Sequence, residues 1–73
     1  MQKITELPTR RVLKALHRAG WEVHEGGKHY KLINPNLPGA LTVPRLTPLK
    51  KGTIHAIIRS AGLSVDEFLR LYR

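Results

Sequence analysis

Residues 21–33, WEVHEGGKHYKLI, decide the fold because two short runs of alternating apolar and polar residues flank a pair of glycines. A Gly-Gly pair between two such runs is typical of a β-hairpin with a two-residue turn, in which both central positions favour positive φ. We therefore predict strands over residues 21–25 and 28–33, joined by Gly26 and Gly27.

This turn predicts a register and assigns every side chain of the hairpin to a face. Glu25 is expected opposite Lys28, and His24 opposite His29. The remaining expected pairs are Val23 with Tyr30, Glu22 with Lys31, and Trp21 with Leu32. Because side chains alternate along a strand, the buried face is predicted to carry Trp21, Val23, Tyr30 and Leu32. The open face is predicted to carry Glu22, His24, His29 and Lys31.

The segment before the hairpin supplies a helix to cover its apolar face. Residues 9–20 carry an apolar stripe at helical spacing, formed by Val12, Leu13, Leu16 and Ala19. Thr9 is the expected N-cap of this helix, and Gly20 is its expected C-terminal stop. We expect Val12 and Leu16 to pack against the hairpin.

The second half of the chain predicts one more strand and two more helices. Residues 40–44, ALTVP, are typical of a strand that a proline ends. Residues 49–61 predict a helix that Gly62 ends, and its buried side is formed by Ile54, Ile57, Ile58 and Ala61. Ser64 and Glu67 form a capping box that begins a short third helix with Val65, Phe68, Leu69 and Tyr72 on its apolar side. Ile54 and Ile58 are expected to contact the hairpin.

These elements predict an α+β fold in one domain spanning residues 1–73. The order is α-β-β-β-α with a short extra C-terminal helix. A three-stranded antiparallel sheet with the helices on one face is the simplest arrangement that covers the apolar side chains.

Charge and composition limit the functions that such a small domain can have. The formal net charge is +8, and no acidic residue occurs between Gly26 and Gly62. A positive field of this kind favours a nucleic-acid partner over an anionic membrane surface or an acidic protein. The absence of cysteine excludes disulfides, thiolate catalysis and cysteine zinc sites. No apolar run has membrane-spanning length, and no signal-type segment follows Met1. We expect a cytoplasmic protein without a membrane segment or a cofactor.

Five short motifs follow one another along the chain: AGWEV at 19–23, GKHYKL at 27–32, LTVPR at 41–45, LKKGT at 49–53 and AGL at 61–63. Each is weakly specific alone, but in this order they resemble the HicA family of toxins from bacterial and archaeal toxin–antitoxin pairs. The resemblance covers residues 9–71. It implies a double-stranded-RNA-binding-like fold used as a ribonuclease that cleaves mRNA, and a HicB-type antitoxin that covers the active face. The family's essential histidine, in a Gly-x-His motif on the second strand, corresponds to His29. Lys28 departs from the pattern, because many relatives have serine there.

The composition around His29 suits RNA cleavage. RNA supplies its own nucleophile, the 2′-hydroxyl, so the protein needs a base, a cation for the phosphorane and a proton for the leaving oxygen. His29 is the predicted base, with Lys28 and Lys31 as neighbouring cations. His24 is a candidate second proton-transfer group, although an ordinary strand residue is the simpler interpretation. No metal site is predicted, because a His24–His29 pair lacks further ligands at a suitable spacing.

Other basic and aromatic residues have simpler interpretations. Lys50, Lys51 and Arg59 are predicted phosphate contacts, by analogy with the double-stranded-RNA-binding fold. His17 and His55 are expected to be surface residues. Trp21 and Tyr30 are predicted to be core residues rather than base-stacking residues.

Two alternatives belong to other classes of protein. One is a non-catalytic RNA-binding module in which His29 has no chemical role. The other is a helix-turn-helix DNA-binding protein built from residues 57–68. Its recognition helix would begin with Asp66 and Glu67, whose carboxylates would approach the DNA phosphates, so we interpret these two helices as structural.

Overall fold

The computed structural model describes residues 4–73, and in that range the predicted order of elements is confirmed. The helices are α1 (Thr9–Arg18), α2 (Lys51–Ser60) and α3 (Val65–Tyr72), and the strands are β1 (Glu22–Glu25), β2 (His29–Ile33) and β3 (Ala40–Pro44). The strands form one antiparallel sheet in the order β1-β2-β3. The architecture is therefore α-β-β-β-α with a further C-terminal helix.

The core lies between the helices and one face of the sheet. From the sheet it takes Leu32, Leu41 and Val43, which alternate with exposed residues along β2 and β3. The helices supply most of its other large side chains, and the fully buried ones include Val12, Leu16, Ile54 and Phe68. Trp21 and Leu49 join the core from the connecting segments. Burial of one such side chain stabilises a fold by roughly 1.5–3 kcal/mol. The apolar stripes predicted for the three helices thus place them all on the same side of the sheet.

Two glycines end helices in the way the sequence predicts. Gly20 and Gly62 have φ of 101° and 73°, in the left-handed region. After α1, the N–H of Gly20 donates to His17 O and that of Trp21 donates to Leu16 O. The same pair of bonds follows α2, and this pattern is the Schellman motif. The predicted capping box of α3 is also present.

The predicted starts of α1 and α2 were wrong. Pro8, and not Thr9, is the N-cap of α1; Thr9 is buried and its hydroxyl donates to Leu46 O. The second helix begins at Lys51 rather than at Leu49. Leu49 instead forms an antiparallel bridge with Leu7, with N–O distances of 3.1 and 2.8 Å. In both cases a contact with a distant segment replaces the local helical interaction.

The predicted register of the hairpin was wrong by two residues. His24 lies opposite Lys31, and Glu25 lies opposite Tyr30. The turn is centred on Gly27 and Lys28, and the N–H of Gly26 donates to His29 O at 3.1 Å. Neither glycine of the pair has positive φ. A shift of two residues leaves each side chain on its predicted face, since side chains alternate with period two.

Gly26 is required by a close approach rather than by its φ. A Cβ at this position would lie 2.7 Å from the carbonyl oxygen of His29. Open space surrounds the corresponding position at Gly27. The first glycine of the pair therefore allows the hairpin to close directly onto His29.

Burial of the hairpin follows the prediction except at Val23. Trp21 and Leu32 are buried, and Tyr30 is half-buried. Val23 remains 37% exposed. It lies on β1 at the edge of the sheet, where it lines an open cleft between β1 and α1. The prediction that Val23 belongs to the core was wrong because alternation does not show where the helical layer ends.

Candidate active site

The sheet face opposite the helices is uncovered within residues 4–73. Its side chains from β1 and β2 are all exposed, and they are Glu22, His24, His29, Lys31 and Ile33. β3 adds the exposed Ala40 and Thr42 and the half-buried Pro44. The prediction that His29 and Lys31 lie on the side opposite the core is confirmed.

His29 is the first residue of β2, at the end of the sheet nearest the hairpin turn. Its Cα partner on β3 is Pro44, and its backbone oxygen accepts the bond from Gly26. The backbone of His29 is thus bonded to Gly26 and lies beside β3, while its side chain is exposed. This arrangement fixes the position of the imidazole without burying it.

Two lysines lie close to His29 in the fold. Lys31 is two residues further along β2 on the same face, which corresponds to a spacing of about 7 Å along a strand. Lys28 lies in the turn and is exposed. Of the two predicted neighbouring cations, Lys31 therefore shares the face of His29, and Lys28 precedes His29 in the turn.

His24 does not lie directly opposite His29, as the predicted register required. Its partner is Lys31, which places it diagonally from His29 on the same face. Its Nε2 lies 3.7 Å from Glu22 Oε1, and both side chains are more than half exposed. The structure therefore brings the two histidines to one face but not into a facing pair.

Arg45 connects the end of β3 to the turn before His29, and this role was not predicted from the sequence. Its guanidinium lies 4.4 Å from the centre of the Tyr30 ring and donates to Gly26 O at 2.9 Å. The same group reaches Glu25 Oε1 at 3.3 Å. Its backbone N–H also donates to Lys28 O at 3.4 Å. These contacts join the end of β3 to the turn, and no local pattern identifies them because they link residues 15–20 positions apart.

The other predicted phosphate contacts lie around α2. Lys50 is the N-cap of α2 and Lys51 is its first residue, and both are exposed. Thr53, in the same first turn, lines a cleft that His29 also lines. Arg59 lies elsewhere, beside the cleft between α2 and α3. The two lysines thus lie in the same helical turn as one residue of the His29 cleft, and Arg59 lies beside a different cleft.

The cleft at His29 has a volume of about 380 Å³ and follows the outer edge of β3 against α2. His29, Thr42 and Pro44 line it from the sheet, and Thr53, Ala56 and Ser60 line it from α2. No local sequence pattern predicts this cleft, since its two walls come from separate elements. A larger cleft of about 650 Å³ lies between α1 and β1 and is lined mainly by apolar surface, with His24 at one side. We assign the candidate active site to the His29 cleft because it combines an exposed histidine with hydroxyl groups.

The remaining aromatic residues and histidines are not among those that line the His29 cleft. Trp21 is buried, and the Tyr30 ring is covered by Arg45. His17 is exposed and its Nδ1 lies 3.3 Å from Trp21 O, while His55 is half-buried.

The last helix, α3, packs on α1. Phe68 is buried, and the guanidinium of Arg11 lies 4.3 Å from the centre of the Tyr72 ring. The last helix is therefore part of the core packing.

Among the helices described for residues 4–73, none combines the length and the apolar character needed to cross a membrane. In the same range, no three His, Cys, Asp or Glu side chains come together as potential metal ligands.

The pKa of Glu67 is lowered, first by the hydrogen bond from the Ser64 backbone N–H and then by a hydrogen bond with the Ser64 side chain. This perturbed group belongs to a helix cap and not to the candidate active site.

Comparison with known proteins identifies the family. Neither curated proteins nor solved structures gave a match to the chain. The family model of the HicA toxins of bacterial toxin–antitoxin systems matches residues 9–63. This range runs from the start of α1 to the residue after the Gly62 turn, and so includes the sheet, α2 and the His29 cleft. The chain therefore belongs to the HicA toxin family.

Proposed function

We propose that this protein is the toxin of a type II toxin–antitoxin system and acts as a metal-independent endoribonuclease on mRNA. The observation that supports it best is the exposed His29 beside Lys31 on the uncovered face of the sheet, in a chain of the HicA toxin family. An exposed histidine held by its backbone is suited to accept a proton from a bound substrate.

In the proposed reaction, the imidazole of His29 removes the proton from an RNA 2′-hydroxyl. The 2′-oxygen then attacks the adjacent phosphorus, and the bond from phosphorus to the 5′-oxygen breaks. A proton must reach that leaving oxygen, and it comes from water or from His24. The products are a 2′,3′-cyclic phosphate and a 5′-hydroxyl end. Lys28 and Lys31 stabilise the negative charge that develops on the phosphate oxygens.

Binding of RNA is proposed to use cations around the same end of the domain. Lys50 and Lys51 lie in the first turn of α2 together with Thr53 of the His29 cleft. This turn contains no acidic residue that would neutralise them. Arg59 is proposed to contact a more distant phosphate of the RNA, since it lies on the side of α2 that faces α3. Each phosphate contact adds to the dependence of affinity on salt.

The partner proposed for the toxin is an acidic HicB-type antitoxin that covers the open face. The net charge of +8 favours rapid association with an acidic protein. Association should slow as salt rises, because screening weakens the attraction between the two charged surfaces. The measurement is the association rate at several salt concentrations; a rate independent of salt would contradict an electrostatic contact with this face.

The catalytic proposal is tested by His29→Ala. This substitution should abolish RNA cleavage and growth inhibition, because it removes the base. Thermal stability should change by no more than about 0.5 kcal/mol, since an exposed side chain contributes little packing. RNA affinity should remain near that of the wild type, because the proposed phosphate contacts are lysines and an arginine.

His55→Ala is the matched control, since it removes a histidine from α2 on the side of the α3 cleft. This variant should keep full activity. All three proteins are compared in cleavage of a defined RNA in the presence of EDTA, with circular dichroism and melting as checks of folding. Equal cleavage by folded wild-type and His29→Ala proteins would favour a non-catalytic RNA-binding module instead.

A further inference from the structure

Among the described residues that line the cleft beside His29, the histidine is the only ionisable one, although the protein carries a net charge of +8. Its walls present hydroxyl groups of Thr42, Thr53 and Ser60 and the small side chain of Ala56. No lysine, arginine or carboxylate is among the residues described as lining it. Such a lining does not attract phosphate, but it suits a neutral ligand that forms hydrogen bonds.

The edge of β3 adds backbone groups to this cleft. In an antiparallel pair, the residues that bond to the neighbouring strand alternate with residues whose N–H and C=O point away from it. Arg45 N bonds to Lys28 O, so Val43 and Leu41 also direct their backbone groups towards β2. Thr42 therefore directs its N–H and C=O outwards, along the edge where the cleft lies. One residue thus offers a donor and an acceptor side by side.

A nucleobase fits these properties. It is neutral and flat, and its Watson–Crick edge presents adjacent donors and acceptors. The volume of about 380 Å³ lies within the range of small-ligand sites, which is about 300–1,000 Å³. Ala56 and Pro44 give apolar surface for the faces of the ring, and the Thr53 and Ser60 hydroxyls adjust to either hydrogen-bond polarity.

On the basis of the proposed ribonuclease function, we propose that this cleft binds the base of an unpaired nucleotide next to the cleaved bond. His29 lines the cleft at the border with the open face, so a base in the cleft places its ribose and phosphate beside the imidazole and Lys31. A base reaches such a cleft only when it is unstacked and unpaired. The protein then selects single-stranded RNA, and the backbone N–H and C=O of Thr42 contribute to the choice of base.

Ala56→Leu tests the proposal by filling the cleft from the α2 side. Ala56 is exposed and lies within the helix, and leucine has a helix propensity close to that of alanine, so the fold is retained. The matched control is His55→Leu, which introduces the same side chain one residue earlier, towards α3. Ala56→Leu should lower kcat/KM at least about tenfold and change the base preference at the cut site. The control should leave both unchanged.

A second measurement uses substrates in which the nucleotide on either side of the cut lacks its base. For wild-type protein, one of the two abasic substrates should be cleaved at least about tenfold more slowly. Ala56→Leu should show little further loss on that substrate, because the same contact is already absent. Additive losses, or unchanged kinetics of Ala56→Leu while His29→Ala is inactive, would overturn the base site and leave the ribonuclease function standing.

A third readout does not depend on cleavage. In NMR titrations of His29→Ala with a nucleoside 5′-monophosphate, the amide signals of Thr42 and Ser60 should shift, and the shifts should be lost in the His29→Ala/Ala56→Leu double variant. Shifts confined to residues near the lysines would overturn the base site even if the protein cleaves RNA. If the signal of Thr42 shifts but the wild-type protein does not cleave RNA, the base site stands and the ribonuclease function is rejected.

Discussion

Replacing each glycine of the Gly26-Gly27 pair with alanine should have opposite effects on stability. A Cβ on residue 26 would lie 2.7 Å from the His29 carbonyl oxygen, so the backbone of the turn must move. The 3.1 Å hydrogen bond from Gly26 N to the same oxygen is then weakened, and such a bond contributes about 0.5–1.5 kcal/mol. With the added contact, Gly26→Ala should destabilise the fold by about 1–2 kcal/mol.

Gly27→Ala provides the matched control. The new Cβ meets open space, and the φ of Gly27 is not in the left-handed region. Alanine restricts the unfolded chain more than glycine does, so this substitution should be neutral or stabilising by up to about 1 kcal/mol. Under the prediction of a two-residue turn at Gly26-Gly27 with positive φ, both substitutions would be unfavourable.

Thermal melting distinguishes the two cases. In a domain of this size a change of 1 kcal/mol moves Tm by roughly 4–8 °C, so Gly26→Ala should melt about 5–15 °C below wild type. Cleavage of RNA by Gly26→Ala should also fall, by up to about a hundredfold, since the displaced oxygen belongs to His29. If Gly26→Ala melts at the wild-type temperature, or if Gly27→Ala is the less stable variant, the account of the turn is refuted.

Four other predictions concern packing, the turn, binding and pH. Phe68→Ala should destabilise the protein by about 3–5 kcal/mol in urea denaturation, since the ring is fully buried; a smaller change would show that α3 is not part of the cooperative core. Arg45→Lys should retain the charge but lose the stacking on Tyr30 and the fork of hydrogen bonds, so hydrogen exchange at the turn should accelerate while that of α2 stays constant. Lys31→Ala should weaken RNA binding and reduce its dependence on salt, with only partial loss of cleavage; an unchanged salt dependence would remove Lys31 from the interface. Because the folded pKa of Glu67 is lowered, its contribution to stability is present above its ordinary value of 4.5 and is lost as the pH falls through the lowered pKa. The difference in Tm between wild type and Glu67→Ala should therefore be largest near neutral pH and shrink in acid, and a constant difference would contradict the capping role.

The candidate site could be predicted in part. Alternation along β2 was sufficient to place His29 and Lys31 on the open face, because each side chain follows from the position of its neighbours. It was not sufficient to show that His24 lies opposite Lys31, since the face of a side chain does not reveal how far one strand has slipped along another. The contacts of the Arg45 guanidinium with Gly26 O and the Tyr30 ring were also missed, because these residues are distant in sequence.

Local patterns in the chain were sufficient to predict the elements and their order, the helix-ending glycines at 20 and 62, the capping box of α3 and the face of each hairpin residue. These features depend on interactions between residues a few positions apart, so local periodicity and residue type are sufficient to specify them. Four features became visible only in the folded protein: the register of the hairpin, the exposure of Val23, the bridge between Leu7 and Leu49, and the cleft between β3 and α2. Each of these depends on how separate segments approach one another, and in the turn the hydrogen bond from Gly26 N–H to His29 O, with no room for a Cβ on residue 26, joins the two strands beside the proposed catalytic residue.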